Sequence, residues 1–288
     1  MLNEIAHTMN ELALVYMHQG RYKEAEGLYL RVLNEQIIGE GDQNTATGLN
    51  NLAGVYDLQG RYDLAEPLYE EALKIREKTL GEVHPDVAQS LNNLAGLYEA
   101  QQRYGEAEPL YLRALEIFKS TLSDNHPYMA FIIDNIAGLY NSQGKYEMAD
   151  QLYHQALKIR KKIFGESHPD VASSLNNIAG LYRKQSKYND AELLYQQSLL
   201  IGEKTLGNDH PSVATTLNNL AWLYYSQGRY EEAEPLYQRA LAIFKAKFPS
   251  GHPNIDACQA NYNTLKEKMQ ARQGRFANRA LQRNDSGG

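Results

Sequence analysis

The sequence predicts an all-α chain of stacked helical hairpins, and three observations carry that prediction. The stretch from Leu91 to Asp124, LNNLAGLYEAQQRYGEAEPLYLRALEIFKSTLSD, recurs every 42 residues, with copies starting at Leu49, Ile133, Leu175 and Leu217. Within each copy the apolar and small residues fall at helical spacing. Turn residues and His-Pro pairs punctuate every copy at the same offsets. A fixed period of this length describes an array in which each repeat contacts its neighbours. It replaces the one or two globular domains that 288 residues otherwise suggest.

The first repeat, 1–43, is divergent. Tyr16 and Tyr22 stand where Tyr56 and Tyr62 stand in the second, but 40 residues earlier instead of 42. The missing pair lies in the loop EQIIGEGDQNT, which also lacks the His-Pro found later; terminal repeats are usually atypical. Repeats two to six cover 44–85, 86–127, 128–169, 170–211 and 212–253. In the third, Leu91, Leu94, Ala95 and Tyr98 occupy one face of a 3.6-period helix. A QxRY or QGxY turn follows, in which Gly60, Gly144 and Gly228 suit a helix end with positive φ. Tyr104, Ala107, Tyr111, Ala114 and Leu115 then mark a second amphipathic helix. Proline also stands inside this second helix at Pro67, Pro109 and Pro235, where it forfeits one hydrogen bond.

The connecting loop carries His84-Pro85, His126-Pro127, His168-Pro169, His210-Pro211 and His252-Pro253. Proline is tolerated in a helix's first turn, and Asp86, Asp170 and Ser212 suit the positive end of the helix dipole. Imidazoles on successive hairpins, with helices about 8–10 Å apart, cannot share an ion whose bonds are about 2 Å. The histidines are therefore read as structural, with no metal and no cofactor expected. A capping helix is expected over 254–272. Tyr262 and Leu265 keep its inward positions, while Asn263 and Lys266 turn polar. The basic tail, 273–288, is expected to be disordered.

Composition excludes several functions. A net charge of −6 gives no basic face for nucleic acid. No apolar run approaches the roughly 20 residues of a membrane span, and the N-terminal MLNEIAHTMNELA lacks the features of a signal peptide. The single Cys258 allows no internal disulfide and fits a reducing compartment, so a cytoplasmic location is expected. No catalytic constellation is present: GLYNSQGKY has the wrong glycine spacing for a phosphate loop, and Cys258 has no histidine signature beside it. The chain is read as not an enzyme.

Packing explains much of the recurring pattern. Ala53 and Ala65 are small where the two helices of a hairpin cross, and Ala72, Ala114, Ala156 and Ala240 where the next repeat docks. Eighteen of the 21 tyrosines occupy three repeat positions, which assigns them to the core with the hydroxyl at its edge.

Leu52, Ala53, Tyr56, Gly60, Tyr62, Ala65, Tyr69 and Ala72 together resemble the tetratricopeptide repeat pattern. The longer period, with LNNLAxLY, QGRYxEAEPLYxRAL and GxxHPxVA, resembles the kinesin light chain type of that repeat over about nine tenths of the chain. The resemblance implies a right-handed α-α superhelix of six hairpins plus the C-terminal cap. It also implies that first helices line a concave groove that binds peptides. Kinesin light chains carry a heptad coiled coil before their repeats, whereas this chain starts in the first repeat. The resemblance is thus to the cargo-binding part.

On a wheel of about 100° per residue, Asn93, Gly96, Gln89 and Ala100 point away from the core of the third repeat. In the implied superhelix that face lines the groove. Asn51, Asn93, Asn135, Asn177 and Asn219 form a row there, able to donate and accept toward a peptide backbone. The resemblance assigns peptide contact to asparagines here; a ladder bracing adjacent helices is the other reading. The adjoining Asn50, Asn92, Asn176 and Asn218 are placed in the same site. Gly54, Gly96, Gly138 and Gly180 leave room for a ligand backbone, and Trp222 takes their place in the sixth repeat, closing the groove or gripping a ligand. Asp57 and Glu99 give way to Arg183 and Lys184 in the fifth repeat, so a ligand acidic at one end would meet its partner there.

The expected function is non-catalytic binding of a partner protein or peptide in this groove by a monomeric scaffold. The alternatives are a structural or oligomerisation module associating end to end through Met1–Tyr16, and the sensor or regulatory portion of a larger signalling protein. No nucleic-acid or membrane partner is expected.

Overall fold

The computed structural model describes residues 2–34, 43–249 and 251–285, and among these it contains thirteen helices and no strand. Consecutive helices pair as hairpins: α1 (Leu2–His18) with α2 (Tyr22–Asn34), α3 (Gln43–Leu58) with α4 (Tyr62–Leu80), and α5 (Pro85–Ala100) with α6 (Tyr104–Thr121). The series continues with α7 (Pro127–Ser142) and α8 (Tyr146–Phe164), α9 (Pro169–Lys184) and α10 (Tyr188–Leu206), and α11 (Pro211–Ser226) and α12 (Tyr230–Lys247). The last helix, α13, spans Pro253–Asp285 and packs on α12. The chain divides into two compact units, Met1–Glu166 and Ser167–Gly288. Within each, consecutive hairpins stack as a solenoid. No helix of the described residues is long and apolar enough to cross a membrane.

Each first helix from α5 onward starts the same way. His84 is extended, and its Nδ1 accepts the Asp86 N–H at 3.1 Å, while Pro85 fills the first turn. His126, His168, His210 and His252 repeat this cap at 3.1–3.2 Å. The imidazole nitrogen thus does the work of an asparagine or aspartate oxygen, satisfying an orphan donor. The first helices end in a left-handed residue: Gly60 (φ 71°), Gly144 (φ 76°) and Gly228 (φ 75°), but Gln102 (φ 61°) and Ser186 (φ 59°) in the third and fifth repeats.

The core follows the small-residue pattern: Ala53, Ala65, Ala72, Ala114, Ala156 and Ala240 are fully buried. Tyrosines do more than pack. Tyr56 donates to Glu26 of the preceding repeat at 3.1 Å, and Arg61 lies over the Tyr56 ring while also bonding Glu26. Tyr224, Arg229 and Glu192 repeat the staple in the second unit, with Tyr224 donating at 2.8 Å. The sequence had assigned the tyrosine; its glutamate partner went unread.

The shortened loop of the first repeat lies largely outside the described residues. The α13 backbone runs through 273–285, in the stretch where a disordered tail was expected. Ala, Leu, Gln and Arg dominate that stretch, and all are good helix formers. The final three residues lie outside the described ones.

Candidate functional site

The candidate surface is the side of the first helices that faces away from the hairpin core, taken in each unit separately. Its asparagines form two chains of carboxamides. In the first unit Asn135 Nδ2 donates to Asn92 Oδ1 at 2.6 Å, Asn92 Nδ2 to Asn93 Oδ1 at 3.3 Å, and Asn93 Nδ2 to Asn50 Oδ1 at 3.0 Å. In the second, Asn261 donates to Asn218 at 3.2 Å, Asn218 to Asn219 at 3.4 Å, and Asn219 to Asn176 at 3.1 Å. The bracing ladder is therefore present. Asn261, in the capping helix, belongs to it and was missed by the sequence reading, although it lies one period after Asn219.

Bracing does not exhaust these groups. An amide has two N–H donors and two acceptor lone pairs. Asn93 spends one of each within the ladder, as does Asn219. Both are half-buried, as are Asn50, Asn51, Asn135, Asn176, Asn177 and Asn218; Asn92 is buried. Gln89 and Ala100, on the same side, are exposed.

The glycine row sits over tyrosine hydroxyls. A Cβ on Gly54, Gly96 or Gly180 would lie 3.5 Å from the hydroxyl of Tyr69, Tyr111 or Tyr195, an ordinary contact. Beside each hydroxyl stands the variable residue of the first helix's last turn. Tyr111 donates to Glu99 at 3.1 Å, and Ser142 of α7 donates to the same carboxylate at 3.3 Å. Burial pushes Tyr69 and Tyr111 well above the usual phenol range, and nearby carboxylates add to the shift. Burial likewise raises the Asp57 carboxyl. In the second unit the neighbour of Tyr195 is Arg183, which opposes the burial effect. Lys184, the next residue, is exposed. Trp222 is half-buried and stacks on Tyr225 with ring centroids 4.9 Å apart. The second unit also holds a cavity of about 230 Å3 bordered by Asn176 and Asn177.

A tetratricopeptide repeat profile matches the chain five times in overlapping windows, over residues 4–78, 44–120, 86–162, 128–201 and 170–246. The chain belongs to the tetratricopeptide repeat family. Among solved structures it is similar to the nearly identical TPR-like repeats of a candidate kinesin light chain of Podosopora anserina. That pair shares 29% identity and a TM-score of 0.56, covering 69% of this chain and 94% of that one. BtubC (BKLC) from P. vanneervenii aligns at 26% identity and a TM-score of 0.58, over 82% of this chain and 93% of that one. A Rap protein complexed with competence and sporulation factor shares the fold at a TM-score of 0.65 and 16% identity, over 93% and 76% of the two chains. No curated protein matches.

These neighbours make the repeats of kinesin light chain type, and the fold is that of protein–protein interaction scaffolds. On this TPR framework the structure brings Asn50, Asn92, Asn93 and Asn135 into one network and Asn176, Asn218 and Asn219 into another. Trp222 joins the aromatic packing of the last repeat.

Proposed function

We propose that the chain is a non-catalytic binding scaffold whose first-helix faces take a segment of a partner protein along the asparagine rows. The observation that carries this reading is the unspent hydrogen-bonding capacity of half-buried amides such as Asn93 and Asn219. The ladder fixes their orientation, so little side-chain entropy is lost when a peptide backbone pairs with them. Arg183 and Lys184 beside Asn177 and Asn219 favour an acidic end of the segment over the second unit. The scaffold carries out no reaction, and a cytoplasmic setting suits its single cysteine.

Peptide-array binding to wild type and to the Asn135→Ala/Asn177→Ala/Asn219→Ala variant tests this, with a melting curve to show that the variant is folded. Binding should fall at least about tenfold, the worth of one or two lost hydrogen bonds. A folded variant that binds unchanged removes the asparagine rows from the site.

A second reading has its own observation. Ile5, Leu12 and Val15 of α1 are 44%, 41% and 48% exposed and lie on one side of the helix. This apolar stripe favours end-to-end association of copies through α1. Sedimentation across a concentration series separates it from peptide binding, because a pure peptide binder stays monomeric alone.

A further inference from the structure

One position of the second helices changes character from repeat to repeat: Arg76, Phe118, Arg160, Gly202 and Phe244 are equivalent. Arg76, 5% exposed, donates through Nη1 to the Asp86 carbonyl at 3.0 Å and to Ser90 Oγ at 2.8 Å, and through Nη2 to Thr47 Oγ1 at 3.4 Å. Its guanidinium thus bridges the starts of two consecutive first helices, α3 and α5. Arg160 is also buried and bonds the Asp134 carboxylate. Phe118 and Phe244 pack on Tyr128 and Phe248. In α10 the residue is Gly202, and there a cavity of about 230 Å3 opens between α9 and α11.

The walls of that cavity keep what Arg76 uses. Ser173, Ser212 and Thr216 border it, and they stand one period multiple after Thr47, Asp86 and Ser90. Each hydroxyl has a single proton, and those of Ser173, Thr216 and Ser198 are already spent. Ser173 donates to the Pro169 carbonyl at 3.2 Å, Thr216 to the Ser212 carbonyl at 3.2 Å, and Ser198 to the Ala172 carbonyl at 2.7 Å. Their lone pairs are what remains for an occupant. Thr47 shows the same arrangement when filled: it donates to the Gln43 carbonyl at 3.0 Å and accepts from Arg76. These lone pairs, with the amide oxygens of Asn176 and Asn177 at the mouth, suit a group with many N–H bonds.

We propose that the Gly202 cavity is a receptor for an arginine side chain of a bound partner segment, whose guanidinium takes the place that Arg76 and Arg160 fill from within the chain. This rests on the reading that a segment lies along the asparagine row, since Asn176 and Asn177 border the cavity mouth. Arginine is favoured over lysine because its planar fan of five donors can reach a carbonyl and two hydroxyls at once. The cavity borders no side-chain carboxylate: Ser212 and Asn176 replace the equivalents of Asp86 and Asp134. Recognition is therefore by hydrogen-bond geometry and not by an ion pair.

The test titrates N-acetyl-arginine methylamide into the isotope-labelled full chain, with the lysine and phenylalanine analogues in parallel. The arginine compound should give saturable shifts at the amides of Ser173, Ser198 and Thr216, with the analogues at least about tenfold weaker. Gly202→Arg should abolish the response by filling the cavity from within. A Cβ there lies 3.3 Å from Val213 Cγ2, and Arg76 tolerates Val87 at the equivalent place. Ser173→Ala with Thr216→Val removes acceptors without adding bulk and should weaken the arginine response about tenfold. Absence of arginine binding, equal binding of the phenylalanine analogue, or a response unchanged in both variants overturns the assignment. Random-peptide display separates it from the reading it rests on. Selected peptides that bind wild type and Gly202→Arg equally overturn the cavity and leave the scaffold. A specific arginine response with no peptide selected keeps the cavity and removes the peptide site.

Discussion

The two compact units share a framework and differ in what is set upon it. The carboxamide chain from Asn135 to Asn50 in the first unit is the same device as that from Asn261 to Asn176 in the second. The staple of tyrosine, basic residue and glutamate recurs in both. Yet the first unit fills its second-helix pockets with Arg76, Phe118 and Arg160, where the second leaves one empty at Gly202. The first unit also lines its surface with Asp57 and Glu99, where the second has Arg183. The ladder and the staple join neighbouring repeats and recur with them, whereas the Arg76 position also joins repeats and varies. The differences fall both on buried second-helix positions and on the first-helix faces.

The sharpest way to break this contrast is to give the first unit the second unit's chemistry. Asp134→Ala leaves Arg160 buried without its carboxylate, and removing one partner of such a pair costs about 3–5 kcal/mol. Urea unfolding should show that loss. Asp134→Asn with Arg160→Gly instead reproduces the arrangement of Asn176 and Gly202, and more than half the stability should return because no charge is stranded. A double variant as unstable as Asp134→Ala would show that filling the pocket, and not pairing the charge, is what the first unit needs. Next in size is Asn92→Ala. This side chain is 5% exposed and sits between Asn135 and Asn93 in the ladder. Losing it should cost about 1–3 kcal/mol, while Asn219→Ala, half-exposed, should cost less under the same denaturant.

Periodicity made the framework readable, because a 42-residue repeat writes the same packing demand five times. Leu91, Leu94 and Ala95 could be assigned to the core from spacing alone, and they are buried. The histidine cap was half legible: Pro85 announced a helix start, but that His84 Nδ1 would accept an amide proton depends on backbone angles. The asparagine rows were placed on the outward face, yet the wheel could not say that neighbouring amides meet across helices 43 residues apart. The Gly202 cavity was illegible for a different reason. A glycine in a helix reads as a local cost, and only its neighbours in space show whether the missing volume is refilled.

Asp57 offers a smaller effect of opposite sign. Its carboxyl is held above the ordinary range by burial, so the folded state binds its proton more tightly than the unfolded one. Stability therefore falls as pH rises from the usual carboxylate range through the raised value. Asp57→Asn should remove that fall, stabilising the chain at neutral pH and making little difference below the unfolded pKa. Melting curves at about pH 3 and pH 7 check it. A variant less stable at pH 7 would mean that the charged carboxylate is supported where it stands.

The smallest effect concerns the turn that ends each first helix. Gly60, Gly144 and Gly228 adopt the left-handed conformation at no steric cost, while Gln102 and Ser186 adopt it with a side chain attached. The strain at a non-glycine residue there is about 1 kcal/mol at the low end, and glycine's greater freedom in the unfolded chain takes some of it back. Gln102→Gly and Ser186→Gly should each be neutral or stabilising by up to about 1 kcal/mol. Gly60→Ala should be destabilising by a similar amount, although nothing lies within 4 Å of the added Cβ. The pair of experiments asks whether backbone conformation alone governs this turn. If Gln102→Gly destabilises, the side chain must contribute contacts that exceed its strain, and the third and fifth repeats would be held at that end by a different means from the rest.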